Sequence, residues 1–215
     1  MNRDQAITLA NRVVDVLRPD SHMITLAGSI RRNKPFVKDA EIVVQPKPGQ
    51  QASLLAKLDG MVARGEGSKA IYPDGKTRWG DTYRGIQIGE IKVEVFLADA
   101  DNWGYILWLR TGPGDANTAV MKHMSHHRWP WRFTGGYGQI VNYPGPDADA
   151  VPVSKLKIAS EDDLFLLLGV PFTRAQDRDQ RAYVNSLLRM TRPTPELLLR
   201  YRVDVPKPAQ QRPLF

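Results

Sequence analysis

The chain has 215 residues, of which 42% are apolar, and 30 Lys and Arg against 23 Asp and Glu give a formal charge of +7. It has no cysteine, which excludes disulfides and thiolate-bound zinc. No apolar run approaches the roughly 18 residues of a membrane span and no signal core opens the chain, so the sequence reads as a soluble, cytoplasmic protein with a polyanionic partner and no membrane role.

Ala6, Leu9, Ala10, Val13, Val14 and Leu17 recur at helical spacing and predict a helix over 4–18, ended by Arg18-Pro19. A short strand over 23–27 leads into Gly28-Ser29, which opens a helix start, and a second strand over 40–45 carries Glu41. A helix is predicted over 54–62, then a turn at Tyr72-Pro73-Asp74-Gly75. Strands over 83–88 and 91–97 flank a hairpin turn at Gly89-Glu90. In the second strand Ile91, Val93, Val95 and Leu97 share one face, and Lys92, Glu94 and Phe96 the other. Composition shifts near residue 110, where Thr111-Gly112-Pro113-Gly114-Asp115 precedes a basic helix over 116–127. Residues 129–143 are aromatic and Gly-rich and read as a loop with short strands, and 144–149 as a surface turn. Ser160 caps a helix over 164–168, closed by Gly169 and Pro171. A charged helix over 175–190 and a short one over 195–201 follow, and the Pro- and Gln-rich remainder reads as disordered. The fold class expected is α+β.

Asp39 and Glu41 lie two residues apart, so on a strand they point the same way. Like charges held that close call for a cation between them. Beside a Gly-Ser turn they read as a divalent-metal site next to a phosphate cradle, the combination nucleotidyl transfer needs. Two-metal phosphoryl transfer takes carboxylates converging on cations roughly 3.5–4 Å apart. Glu94, on the polar face of its strand, is the third candidate; its bland alternative is an exposed residue paired with Lys92 or Arg84.

The Gly-Ser turn, the 11-residue step from Gly28 to Asp39, the acidic pair and the later acid resemble the nucleotidyltransferase superfamily. Gly28-Ser29-Ile30-Arg31-Arg32, Gly75-Lys76-Thr77-Arg78-Trp79-Gly80, Lys92-Val93-Glu94, Thr111-Gly112 and Leu168-Gly169-Val170-Pro171-Phe172 followed by Arg178-Asp179 resemble motifs of the family X DNA polymerases. The resemblance covers about residues 1–180 and includes no counterpart of the family's N-terminal lyase domain. It implies a minimal form, bacterial or virus-encoded, with a palm over 1–109 (a mixed or antiparallel sheet with flanking helices). A small α+β nucleotide-selection subdomain over 110–180 and an extension with a tail over 181–215 complete it.

The resemblance also assigns roles. Asp39, Glu41 and Glu94 bind two Mg²⁺, with Mn²⁺ as the alternative, and Glu94 is a candidate general base. Gly28, Ser29, Arg32, Lys38, Arg110, Gly112 and Asn117 meet a nucleoside triphosphate. Lys76, Thr77, Arg78, Lys92, Lys122, His126 and Arg128 meet gapped or primer-template DNA. Two departures touch selectivity: Leu109-Arg110 replaces an aromatic pair that packs on the sugar, and Met121 replaces an Arg that checks the nascent pair.

His123, His126 and His127 share one helix, where a DNA-facing basic surface is favoured over zinc. Trp129, Trp131 and Phe133 suit core packing better than base stacking, and Gly135-Gly136-Tyr137-Gly138 suits a hairpin better than a second phosphate site. Gln211, Leu214 and Phe215 resemble the short peptide that docks in bacterial sliding clamps. The function expected is gap-filling DNA polymerisation. The alternatives are a template-independent nucleotidyltransferase on DNA ends or RNA, and an inactive DNA- or clamp-binding module.

Overall fold

Period-two patterning sorts the first half of the chain into an apolar face and a working face. The computed structural model describes residues 1–203; Gln211, Leu214 and Phe215 therefore lie outside the described residues. Helix α1 (Arg3–Leu17) is capped by the Asn2 side chain, which accepts the Asp4 N–H at 2.9 Å, and buries Ala6, Ala10, Val13, Val14 and Leu17. After a 3-10 turn at Arg18–Asp20 come strand β1 (Ser21–Leu26), helix α2 (Gly28–Arg31), strand β2 (Asp39–Pro46) and helix α3 (Gln51–Ala63). Strands β3 (Ser68–Lys69), β4 (Tyr83–Ile88) and β5 (Ile91–Leu97) complete a five-stranded sheet in the order β1-β2-β5-β4-β3. β2 and β5 run parallel while the other neighbouring pairs are antiparallel, so the sheet is mixed.

Ala40, Ile42 and Val44 of β2 join Ile91, Val93, Val95 and Leu97 of β5 beneath α1 and α3, where Leu54 and Leu58 are fully buried. Each Val, Leu or Ile among them contributes about 1.5–3 kcal/mol by leaving water. The alternate residues of β2 and β5 face the other half of the molecule. There Val43 and Phe96 enter a second core, while Asp39, Glu41 and Glu94 remain nearer the opening.

That second core is built by α4 (Trp103–Thr111), α5 (Gly114–His126), β6 (Trp131–Thr134), β7 (Tyr137–Asn142), β8 (Val151–Leu156) and α6 (Glu161–Leu168). Helices α7 (Arg181–Leu187) and α8 (Pro195–Tyr201) and strand β9 (Arg202–Val203) follow. The strands form an antiparallel sheet in the order β6-β7-β8-β9. Tyr183, Leu187 and Leu198 place α7 and α8 in the same core as Trp108 and Phe165.

Two helical stretches differ from the sequence expectation, while the Gly135-Gly136 hairpin and the core placement of Trp129, Trp131 and Phe133 agree with it. Helix α4 is apolar all round, with Trp103 to Trp108 buried, so no amphipathic period announces it. Residues 131–142 form a true hairpin: Gly135 and Gly136 take φ of +58° and +82°, the left-handed values a tight turn requires. The expected helix over 175–190 breaks into a 3-10 turn at Ala175–Asp177 and then α7. The break lets Arg178 turn inward, where it is fully buried and donates to Glu161 and to the Thr173 carbonyl. Trp129 and Trp131 are core residues, and Phe133 stacks on Tyr105 and Trp108.

Candidate active site

The parallel register of β2 and β5 sets Glu41 opposite Glu94 and Asp39 opposite Lys92. Because side chains alternate, the three carboxylates occupy one face. The Gly-Ser turn is joined to the same strand, since the Ala27 N–H donates to the Glu41 carbonyl at 2.7 Å. Gly28 has φ +61°, and a Cβ there would collide with Glu41 Oε2, so the turn needs glycine twice over. The Gly-Ser turn and the acidic pair form one packed unit.

Three donors converge on a single oxygen of Glu94: Tyr72 Oη at 2.8 Å, Tyr83 Oη at 2.6 Å and Lys92 Nζ at 2.9 Å, all to Oε1. Burial pushes the Glu94 carboxyl up, but these donors outweigh it and hold it below its ordinary value. With Oε1 so crowded, Glu94 has little capacity there to accept a proton. Glu41 goes the other way. Burial first, then the neighbouring charges of Asp39 and Glu94, push it up to about 7, and Arg110 and Arg32 only partly compensate.

The Lys92 ammonium bridges two of the acids, lying 3.6 Å from Asp39 Oδ2 as well as 2.9 Å from Glu94. Among the described residues, no three acidic or histidine side chains stand close enough to enclose a metal in this conformation. The donor set nevertheless fits one. It is all carboxylate oxygen, the chemistry of Mg²⁺ and Mn²⁺, and a cation already sits between two of its members.

A cleft of about 320 Å³ opens beside this face, lined by Arg32, Glu41, Arg110, Gly112, Asn117 and Met121 among others. It thus gathers much of the nucleotide set expected from sequence. Gly112 closes α4 with φ +75°, and Asn117 is buried, its Nδ2 donating to the Leu109 carbonyl at 2.8 Å while Oδ1 finds no partner among the described residues. Ser29 is half-buried in α2, and Lys38 is exposed just before β2. The Arg110 guanidinium lies 3.8 Å above the Phe96 ring, and a second cleft of about 360 Å³ opens past it toward Tyr83, Phe96 and Gly136.

Two ties cross from α2 to the second half. Arg31 grips both oxygens of Glu161 at 2.9 and 2.7 Å and donates to Thr111 Oγ1 at 2.8 Å. Arg178 completes the Glu161 pair at 2.8 Å. Burial alone would raise the Glu161 carboxyl; the two arginines hold it below its ordinary value. Arg32 donates to the Thr111 carbonyl and to Asp179 Oδ2, the latter at 3.2 Å. Sequence reasoning missed Lys34, Tyr72, Tyr83, Arg31 and Glu161. Tyr72 read as part of a turn and Glu161 as part of a helix cap, and each acquires its partner only through tertiary contact.

The expected DNA-binding residues are dispersed. Lys76 and Thr77 are exposed in the turn after Tyr72, and Arg78 pairs with Asp74 at 2.5 Å and stacks over the Tyr72 ring. Lys92 lies among the carboxylates. Lys122 and His126 are exposed on α5. Arg128 donates to the Gly145 and Pro146 carbonyls and lies over the Tyr143 ring. At the end of the same helix the His127 ring contacts those of His123 and His126.

This mixed sheet, with a carboxylate face and a second α+β half packed beside it, has the fold of polymerase beta. Polymerase beta of Leishmania infantum in its ternary P/T complex superposes with a TM-score of 0.63 at 14% identity, over 83% of this chain and 76% of that one. The same protein in its ternary gap complex gives the same TM-score and identity over 83% and 70%. No protein-family model and no curated protein matches the sequence. None of the described helices is long and apolar enough to cross a membrane.

Proposed function

We propose that the chain is a nucleotidyltransferase of the family X polymerase type, adding deoxynucleotides to a DNA primer by template direction in short-gap synthesis. The observation that carries this reading is the Asp39, Glu41 and Glu94 face fused to the Gly28-Ser29 turn. Asp39 and Glu41 would hold two divalent cations, Mg²⁺ or Mn²⁺, and Glu94 the one nearer the primer end. Bound there, such cations acidify the attacking hydroxyl and offset charge on the leaving pyrophosphate. The primer 3′-oxygen bonds to the α-phosphorus as its bond to the α,β-bridging oxygen breaks; the hydroxyl proton passes to solvent water and pyrophosphate leaves.

The protein's share is positioning and electrostatics. Arg32 and Ser29 meet the β- and γ-phosphates. Tyr72 and Tyr83 fix Glu94 through Oε1, and Gly28 allows Glu41 to approach the turn. Asn117, whose buried Oδ1 is unpaired among the described residues, and Arg110 line the cleft for base and sugar. Lys76, Arg78, Lys122 and Arg128 supply positive charge toward DNA, with Thr77 and His126 as hydrogen-bonding neighbours. The tail residues Gln211, Leu214 and Phe215 would tether the chain to a sliding clamp, raising its effective concentration on DNA.

Extension of a labelled primer on gapped DNA tests the reading. Incorporation that follows the template base and vanishes in Asp39→Ala with Glu41→Ala supports it. Equal extension without template overturns the template-directed role, and activity retained in the double variant overturns the carboxylate assignment. Removal of residues 210–215 should abolish clamp stimulation and spare clamp-free synthesis.

A further inference from the structure

Lys34 follows Arg32 by two residues, in a turn where Asn33 takes a left-handed backbone and the Lys34 N–H returns to the Ser29 carbonyl at 3.0 Å. That turn aims the Lys34 ammonium and the Arg32 guanidinium at one oxygen. Asp179 Oδ2 lies 3.2 Å from Arg32 Nε and 2.9 Å from Lys34 Nζ. Asp179 comes from the far half of the molecule, between the Ala175–Asp177 turn and α7. One anionic oxygen shared by two convergent cations is the arrangement a phosphate oxygen would adopt.

The bridge is placed to be exchanged. Arg32 lines the cleft with Glu41, while Lys34 and Asp179 keep 41% and 26% of their side-chain surface in solvent. Ion pairs that exposed are weak. A terminal phosphate brings more charge than a carboxylate and three acceptor oxygens, so it competes well for both cations.

We propose that Asp179 is an internal stand-in for the terminal phosphate of the incoming nucleoside triphosphate, and that Lys34 with Arg32 forms the polyphosphate subsite it occupies. The inference rests on the reading of Arg32 as a phosphate-binding residue. Nucleotide entry then releases Asp179 from Arg32 and Lys34, while the Arg31–Glu161–Arg178 tie and the bond from Arg32 to the Thr111 carbonyl persist. Asp179 thereby sets the affinity for polyphosphate, and Lys34 is a binding residue.

Calorimetric titration of the full chain with inorganic tripolyphosphate, without divalent metal, tests this. Asp179→Asn should tighten binding about threefold to tenfold, and Lys34→Ala should weaken it by a similar factor. A melting temperature of Asp179→Asn within about two degrees of the parent would show that the gain is not a refolding effect. Binding that weakens or stays unchanged in Asp179→Asn, while Arg32→Ala still loses it, overturns this inference alone. Binding that stays unchanged in Arg32→Ala overturns the phosphate-cradle reading and this inference with it.

Discussion

Tyr83 donates its hydroxyl to Glu94 Oε1 at 2.6 Å while its ring lies flat on Phe96, centroid to centroid 4.6 Å. The stack would survive Tyr83→Phe and the hydrogen bond would not. Partners that orient a metal-binding side chain usually contribute about tenfold to a hundredfold. Tyr83→Phe should therefore lower kcat by about that factor and raise the Mg²⁺ midpoint, with the KM for nucleotide little changed. Steady-state kinetics over a Mg²⁺ series separates this from simple destabilisation, which would leave the metal midpoint alone.

Glu41 carries a different burden. Its carboxyl is buried beside Asp39 and Glu94, and its folded state is uncomfortable without a cation, as its rise to about 7 reflects. Glu41→Gln removes that repulsion. In metal-free buffer the variant should melt at or above the parent temperature while losing more than about a thousandfold in incorporation. Added Mg²⁺ should stabilise the parent and have little effect on the variant, as binding to the native state alone requires. A parent melting temperature insensitive to Mg²⁺ would remove the metal role from this face.

Much of this face is legible in the sequence. Alternation in 39–44 and 91–97 separates apolar from acidic residues, and that separation persists in β2 and β5. What alternation does not carry is which strands pair and in what direction. The parallel register that sets Glu41 against Glu94 is a tertiary fact, as is the packing of Glu41 on Gly28. The ties of Arg31 to Glu161 and of Lys34 to Asp179 join positions far apart in the chain, where no local pattern marks a partner. Lys92 reads from sequence as a DNA contact, and its ammonium lies between two carboxylates instead of facing outward. Helix α4 stays hidden for a simpler reason: a helix buried on every side has no stripe.

Glu161 should make the fold acid-sensitive. Its carboxyl is held below the ordinary 4.5 by Arg31 and Arg178, against the opposing effect of burial. A carboxylate with a depressed native pKa stabilises the fold fully above its unfolded value, and that stabilisation is lost as pH falls through the native value. Glu161→Gln leaves two arginines near each other, one wholly buried, without an anion. The expected cost at pH 7 is about 3 kcal/mol or more. Urea midpoints between pH 7 and pH 3 should converge for parent and variant as the acid limb is reached; parallel curves would refute the assignment.

Arg110 lines both clefts, stacked on Phe96, and its buried Nε has no hydrogen-bond partner among the described residues. An unpaired buried donor is costly to the free protein, and a ligand oxygen that pairs with it relieves that cost on binding. The same side chain opposes the rise of the Glu41 carboxyl. Arg110→Leu removes the donor, the cation–π contact and this nearby positive charge together. Its KM for nucleotide should rise about tenfold. Arg110→Lys restores the charge without the flat guanidinium and should recover only part of the loss. Full recovery in Arg110→Lys would mean that charge alone matters and that the unpaired Nε has no ligand to meet.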